Sequence, residues 1–277
     1  ISTLPAGCDP ASHVLISFDL CVSLRSLFFY YFLNFSPDTG IIVLAIEMRR
    51  KINVTKLYFI RHGKTQWNLE GRYQGARGDS PLLKDSYLEI DALAHHLSPI
   101  TFQHMYVSPV RRARVTGNTL QHDMDELQGY PIPLTIASRL REFNLGKMEG
   151  MKFTDVQKRY PQEFDDFRNH PDHYDPSTIQ GESFPQLIQR MTPTIKRITD
   201  IYRNPTDNIL IVSHGAALNA LVNTLLGTDL HDLRKRGGLS NTSTTILETN
   251  DVGRTFSLIK WNDTSYIKRQ PDATDMI

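Results

Sequence analysis

The sequence predicts an α/β fold, a three-layer sandwich with a mostly parallel central sheet flanked by helices. Two observations carry this expectation. Short apolar runs rich in strand formers alternate with longer segments of helical periodicity, the pattern of a parallel sheet covered on both faces. One of those runs, Asn208–Val212 (NILIV), is continuously apolar, as a strand buried on both sides requires.

Each element follows from its local pattern. Lys56–Ile60 (KLYFI) is the first predicted strand, and Arg61-His62-Gly63 follows it at once. Ser86–Ser98 repeats Leu88, Ala92, Leu93 and Leu97 at helical spacing. His104–Val107 reads as a second strand ending at Ser108-Pro109, and Arg111–Leu127 as the helix after it. Glu182–Arg203 carries Phe184, Leu187, Ile188, Met191, Ile195, Ile198 and Ile201, and Pro193 is expected to kink or divide this helix. The strand at Asn208–Val212 runs into Ser213-His214-Gly215, then into a helical run, Ala216–Leu226, closed by Gly227. Thr244–Thr249 and Arg254–Trp261 read as a terminal hairpin around Asn250-Asp251-Val252-Gly253.

Composition narrows the function classes. The 277 residues hold 31 basic and 30 acidic side chains, a net charge of +1, which argues against a broad nucleic-acid surface. Two cysteines, Cys8 and Cys21, cannot build a disulfide framework or a cysteine-rich zinc site. The averages conceal a seam: residues 1–47 hold one basic residue, Arg25, and four acidic ones, leaving 30 basic and 26 acidic in 48–277. Val14–Phe35 is long enough to cross a bilayer, but Asp19 and Arg25 inside it would each cost roughly 2.5–3.5 kcal/mol. We read residues 1–47 as a non-core N-terminal extension, with native translation starting at Met48, and residues 48–277 as a single catalytic domain.

Three predicted strands end in polar groups: Arg61-His62, the loop carrying Arg111 and Arg112, and Ser213-His214. In a parallel sheet the carboxyl ends lie along one edge, where ligands bind. Two histidines and several arginines gathered there require an anion, and the arginine forks favour phosphate. A single histidine or arginine pair of this kind is most often structural. The combination at three strand ends outweighs that reading.

Arg61-His62-Gly63-Lys64-Thr65-Gln66-Trp67-Asn68 with Gly71-Arg72-Tyr73-Gln74-Gly75 resembles the histidine phosphatase (phosphoglycerate mutase-like) superfamily. The likeness continues at Ser108-Pro109-Val110-Arg111-Arg112-Ala113, Leu140-Arg141-Glu142, Gly181-Glu182-Ser183 and Val212-Ser213-His214-Gly215, covering roughly Lys56 to Lys260. The resemblance implies a phosphoglycerate mutase-like sandwich in which His62 accepts the phosphoryl group as a phosphohistidine. Arg61, Arg112 and His214 would surround the phosphate oxygens, with Asn68 as a further donor. Glu142 would protonate the leaving oxygen and later activate water, while Glu149 would be structural. Gln74 and Gly75 match a loop that reaches the rest of the substrate.

The same chemistry serves a phosphatase or a mutase, and Glu142-Phe143-Asn144-Leu145-Gly146 is closer to the small-molecule phosphatase branch. The expectation is therefore a metal-independent, cofactor-free phosphomonoesterase, acting on a small-molecule monoester in the cytoplasm. A mutase is the second reading and a non-catalytic phosphate-binding protein the third. Leu82-Leu83-Lys84-Asp85-Ser86 departs from the family's pattern and leaves the start of the first long helix open. The other histidine pairs, His95-His96 and His170 with His173, lack metal-ligand spacing. Specificity is expected from Gly75–Leu83 and Lys152–Gly181, the latter also readable as a packing cap. A dimer is compatible with the sequence, which does not set the oligomeric state.

Overall fold

The run KLYFI forms the middle of β1 (Thr55–Arg61), at the centre of a six-stranded mixed sheet. The computed structural model describes residues 54–204, 206–269 and 274, all within one unit, Arg49–Ile277. The expectations for residues 1–47 lie outside the described residues. Among the described residues, no helix is long and apolar enough to cross a membrane.

Among the described residues, seven α-helices and six strands follow one another as α/β patterning demands. After β1 come α1 (Gln66–Leu69), α2 (Lys84–Leu97), β2 (His104–Val107), α3 (Arg111–Gln128) and β3 (Leu134–Ile136). The chain continues through α4 (Phe153–Arg159), α5 (Pro161–Asn169), α6 (Phe184–Ile201), β4 (Asn208–Ser213) and α7 (Gly215–Leu225). It closes with β5 (Thr244–Thr249) and β6 (Ser257–Asp263). The strand order is β3-β2-β4-β1-β5-β6; the first four run parallel, β5 pairs antiparallel with β1, and β6 pairs antiparallel with β5.

The three layers follow from the two-residue alternation of strand side chains. Leu57, Phe59, Ile209 and Ile211 face one core with Leu187, Met191, Ile195 and Leu221 of α6 and α7. Tyr58, Ile60, Leu210 and Val212 face the other, with Ile90, Leu93, Leu120 and Met124 of α2 and α3. NILIV is apolar throughout because both of its faces are covered.

Of the two outcomes expected at Pro193, a kink or a division, the division does not occur: α6 continues through it. Pro193 and Gln189, four residues earlier, are both exposed, so the carbonyl that loses its helical partner faces solvent. The hairpin forms, but its second strand is Ser257–Asp263, three residues later at its start than the apolar pattern indicates. The strand β3 and the paired helices α4 and α5 were not legible as elements. The first has three residues after Pro131 and Pro133; the helices are short and divided where Pro161 opens α5.

Candidate active site

The register aligns Arg61 with Ser213 and Val107 with Val212, so β1, β4 and β2 end side by side. His62, Ser108 and His214 are the residues immediately after those ends. His62 and His214 stand edge to face, with ring centroids 5.3 Å apart.

The hydrogen bonds of His62 fix its tautomer. Nδ1 lies 2.8 Å from the Gly63 carbonyl, which can only accept, and Nε2 lies 3.1 Å from the Arg112 Nε–H, which can only donate. Nδ1 therefore carries the proton, and the Nε2 lone pair points at the guanidinium. Burial, reinforced by the positive charges of Arg112 and Arg61, holds the His62 pKa well below the usual imidazole value. His214 is lowered well below it too, by burial and then by Arg112.

Arg112, the second residue of α3, is 2 % exposed. Its guanidinium donates to the Gly75 and Gly78 carbonyls at 2.8 and 2.9 Å, with Asp79 at 3.3 Å. Those carbonyls are set by Glu149, whose carboxylate accepts from the backbone N–H groups of Ala76, Arg77, Gly78 and Leu145 at 2.9–3.1 Å. Gly75 has φ +64°, and a Cβ there would run into that carboxylate, so only glycine fits. Gln74 is committed at both ends, donating to Thr65 Oγ1 at 2.8 Å and accepting from Ser80 at 3.2 Å. In this geometry Gln74 and Gly75 shape the loop that holds Arg112.

Arg61 is buried, donates to the Leu239 carbonyl, and lies against Gly215 at the start of α7. A Cβ at Gly215 would stand 2.9 Å from Arg61 Nε, which explains the glycine after His214. Asn68 accepts at Oδ1 from Thr65 N and Thr65 Oγ1 at 3.1 and 2.9 Å, while its buried Nδ2 has no hydrogen-bond partner. His214 Nε2 lies 2.7 Å from Ser108 Oγ, and Nδ1 is buried without a partner. Glu142 caps the N-terminus of α7, accepting from Ala217 and Ala216 N–H at 2.8 and 3.2 Å. Arg190 donates to the Glu142 carbonyl at 3.0 Å and forks onto Glu182 at 2.7 and 2.9 Å, so Glu182 of Gly181-Glu182-Ser183 steadies that segment.

Three supporting residues carried no role in the sequence reading. Ser108 orients His214. Thr116 Oγ1 accepts from Gly63 N–H at 3.0 Å and donates to the Arg112 carbonyl at 2.8 Å, tying α3 to the histidine turn. Asn241 Nδ2 donates to the His62 carbonyl at 3.0 Å. Asn241 precedes β5, which runs antiparallel to β1, so the beginning of β5 falls on the edge where β1 ends.

Fixed guanidinium donors around a buried neutral imidazole, at the carboxyl edge of a parallel sheet, define an α/β enzyme of phosphoryl transfer. The chain belongs to the histidine phosphatase superfamily, branch 1, whose family pattern matches residues 57–264. It is 30% identical over 185 residues to a protein of Cronobacter sakazakii described as a probable phosphoglycerate mutase, spanning 65% of this chain and 79% of the relative. It is similar in structure to Bacillus stearothermophilus YhfR, at 32% identity and TM-score 0.69, over 77% of this chain and 100% of that one. A mycobacterial glucosyl-3-phosphoglycerate phosphatase matches at 25% identity and TM-score 0.66, over 76% and 99%.

Proposed function

We propose that the protein is a metal-independent phosphomonoesterase that hydrolyses small phosphorylated metabolites through a phosphohistidine on His62, with residues 48–277 as its catalytic domain. The observation that carries this reading is the fixed tautomer of His62, which leaves Nε2 unprotonated, its lone pair accepting from the Arg112 Nε–H. A neutral imidazole is a competent nucleophile for phosphorus only in that state.

In the reaction, the substrate phosphoryl group displaces the Arg112 Nε–H contact and settles among Arg61, Arg112, Asn68 and His214. His62 Nε2 forms the N–P bond as the ester P–O bond breaks, and Glu142 gives its proton to the departing alkoxide. Water then attacks phosphorus; Glu142 takes its proton, the N–P bond breaks, and inorganic phosphate and neutral His62 return. The charge of the transition state spreads over the phosphoryl oxygens, so fixed donors and positioning supply most of the acceleration. The unpartnered Asn68 Nδ2 and His214 Nδ1 support donor roles toward those oxygens. The Ser108 hydroxyl, accepting from Val110 N–H at 3.4 Å, can direct its proton to His214 Nε2 and leave Nδ1–H as the donor. Gln74 and Gly75 act through the loop that aims Arg112.

The test is a panel of phosphomonoesters in excess chelator, with and without 2,3-bisphosphoglycerate. Release of inorganic phosphate in chelator is expected. Isomerised 3-phosphoglycerate without release would make the protein a mutase, and neither product would make it a phosphate-binding protein.

A further inference from the structure

From the turn just before β5, the side chain of Asn241 reaches two of the groups on which the reaction above depends. It is 1 % exposed. Its Nδ2 donates to the His62 carbonyl at 3.0 Å and to Asn68 Oδ1 at 3.4 Å. Both partners can only accept, so the amide must present its nitrogen to them. Among the described residues, Asn241 Oδ1 is buried without a hydrogen-bond partner. Backbone bonds already join this turn to β1: Arg61 N–H donates to the Ser243 carbonyl at 3.2 Å, and Thr242 N–H donates to the Arg61 carbonyl at 3.1 Å. An apolar side chain would pack here without orphaning an oxygen. Docking the two strands therefore does not account for an asparagine.

The two contacts act on different groups. The His62 carbonyl and the Gly63 N–H belong to one peptide plane. Asn241 holds the oxygen of that plane, and Thr116 Oγ1 of α3 holds its N–H at 3.0 Å. The next carbonyl along, that of Gly63, receives the Nδ1–H of His62 at 2.8 Å. Fixing the plane fixes where that acceptor stands, and with it the direction of Nε2. At Asn68, Oδ1 also accepts from Thr65 N–H at 3.1 Å and Thr65 Oγ1 at 2.9 Å. An inverted Asn68 amide would set its own NH2 against the donors of Thr65 and Asn241. Its Nδ2, buried and unpartnered among the described residues, is thereby kept as the donor left over for a ligand.

The mount of Asn241 is rigid. Ser240 accepts at its carbonyl from Ser243 N–H at 3.2 Å, closing a turn with Asn241 and Thr242 at its centre. Thr242 has φ +59°, at the position where a type II turn places glycine, and a β-branched residue is strained there. Its Oγ1 donates to the buried Glu89 of α2 at 3.2 Å, and its carbonyl accepts from the Tyr266 hydroxyl at 2.7 Å. Arg269 Nε steadies Glu89 at 3.0 Å. Such strain persists where the surroundings over-determine it, and it gathers at working sites.

We propose, on the phosphohistidine reading above, that Asn241 is a positioning residue for phosphoryl transfer. One amide aims His62 Nε2 through the His62–Gly63 peptide and holds the Asn68 amide with its NH2 toward the phosphoryl oxygens.

Turnover of p-nitrophenyl phosphate and calorimetric titration with vanadate test it. The set is wild type, Asn241→Ala, Asn241→Leu, Asn68→Ala and the double variant Asn68→Ala/Asn241→Ala. Asn241→Ala should lower kcat about tenfold and leave KM within about twofold, because the group acts on the phosphoryl centre and not on the rest of the ester. Asn241→Leu, close in shape but without a donor, should show the same loss with the cavity filled. In the Asn68→Ala background the loss from Asn241→Ala should shrink to about threefold or less, the remainder passing through His62. Vanadate affinity should follow the same cycle, independently of turnover. If wild type releases no phosphate, the hydrolytic reading fails, and the vanadate cycle still decides the role of Asn241. Full activity in Asn241→Leu, a loss confined to KM, or independent losses from Asn68 and Asn241 in the vanadate cycle would overturn the proposal and leave Asn241 as packing alone.

Discussion

At the scale of single residues, the account depends on histidines kept neutral inside the protein. His62 and His214 have folded-state pKa values well below 6.5, whereas in the unfolded chain both titrate near that value. The unfolded state therefore binds more protons below about pH 6.5, so stability is full above that pH and is lost as pH falls toward the depressed values. Urea unfolding at pH 7.5 and 5.5 should show this loss, and His62→Gln and His214→Gln should each make it smaller. An identical loss in wild type and both variants would contradict the neutral-imidazole assignment. His62, Arg61, Arg112 and His214 could be singled out because each stands in a short polar group after an apolar run, whereas Glu142 was reached through the family resemblance alone. Asn241 was not legible, since the rule that ligands gather at the carboxyl ends of strands says nothing about residues entering an antiparallel one. Ser108 lay inside a quoted motif, but only the folded distance of 2.7 Å to His214 gives it a task.

At the scale of elements, the loop 75–78 is a frame for Arg112. Glu149 gathers four backbone N–H groups, and the loop answers with two carbonyls directed at the guanidinium. Gly75→Ala forces a side chain into that carboxylate at a positive φ and is expected to cost about 2 kcal/mol. Glu149→Gln replaces one acceptor oxygen by a donor and should lower kcat/KM about tenfold, as Arg112 loses its orientation. Unchanged urea midpoints and kinetics in both variants would show that the loop does not orient Arg112. The long elements were readable from periodicity, whereas β3, α4 and α5 are too short for a period to repeat. The uninterrupted α6 shows the limit of a local rule: Pro193 removes one hydrogen bond, but on the wet face, while Leu187, Met191, Ile195 and Ile198 keep the helix docked.

At the scale of the whole molecule, the sheet holds three independent chain segments at one edge, and a phosphate there should tie them together. A ligand at a hundredfold its Kd adds about 2.7 kcal/mol to the stability of the state that binds it. Vanadate is therefore expected to raise the Tm in a concentration-dependent way, and Arg112→Ala to abolish the shift; a shift that persists in Arg112→Ala would place the oxyanion elsewhere. The seam at Met48, legible in charge, has no counterpart in this account of the sheet, because residues 1–47 lie outside the described residues. The central claim is the phosphoryl group on His62. Rapid acid-free quenching of the enzyme with a 32P-labelled monoester should trap an acid-labile, base-stable label on the chain, and His62→Ala should abolish both label and phosphate release by at least about 10³-fold. Undiminished phosphate release by His62→Ala would contradict it.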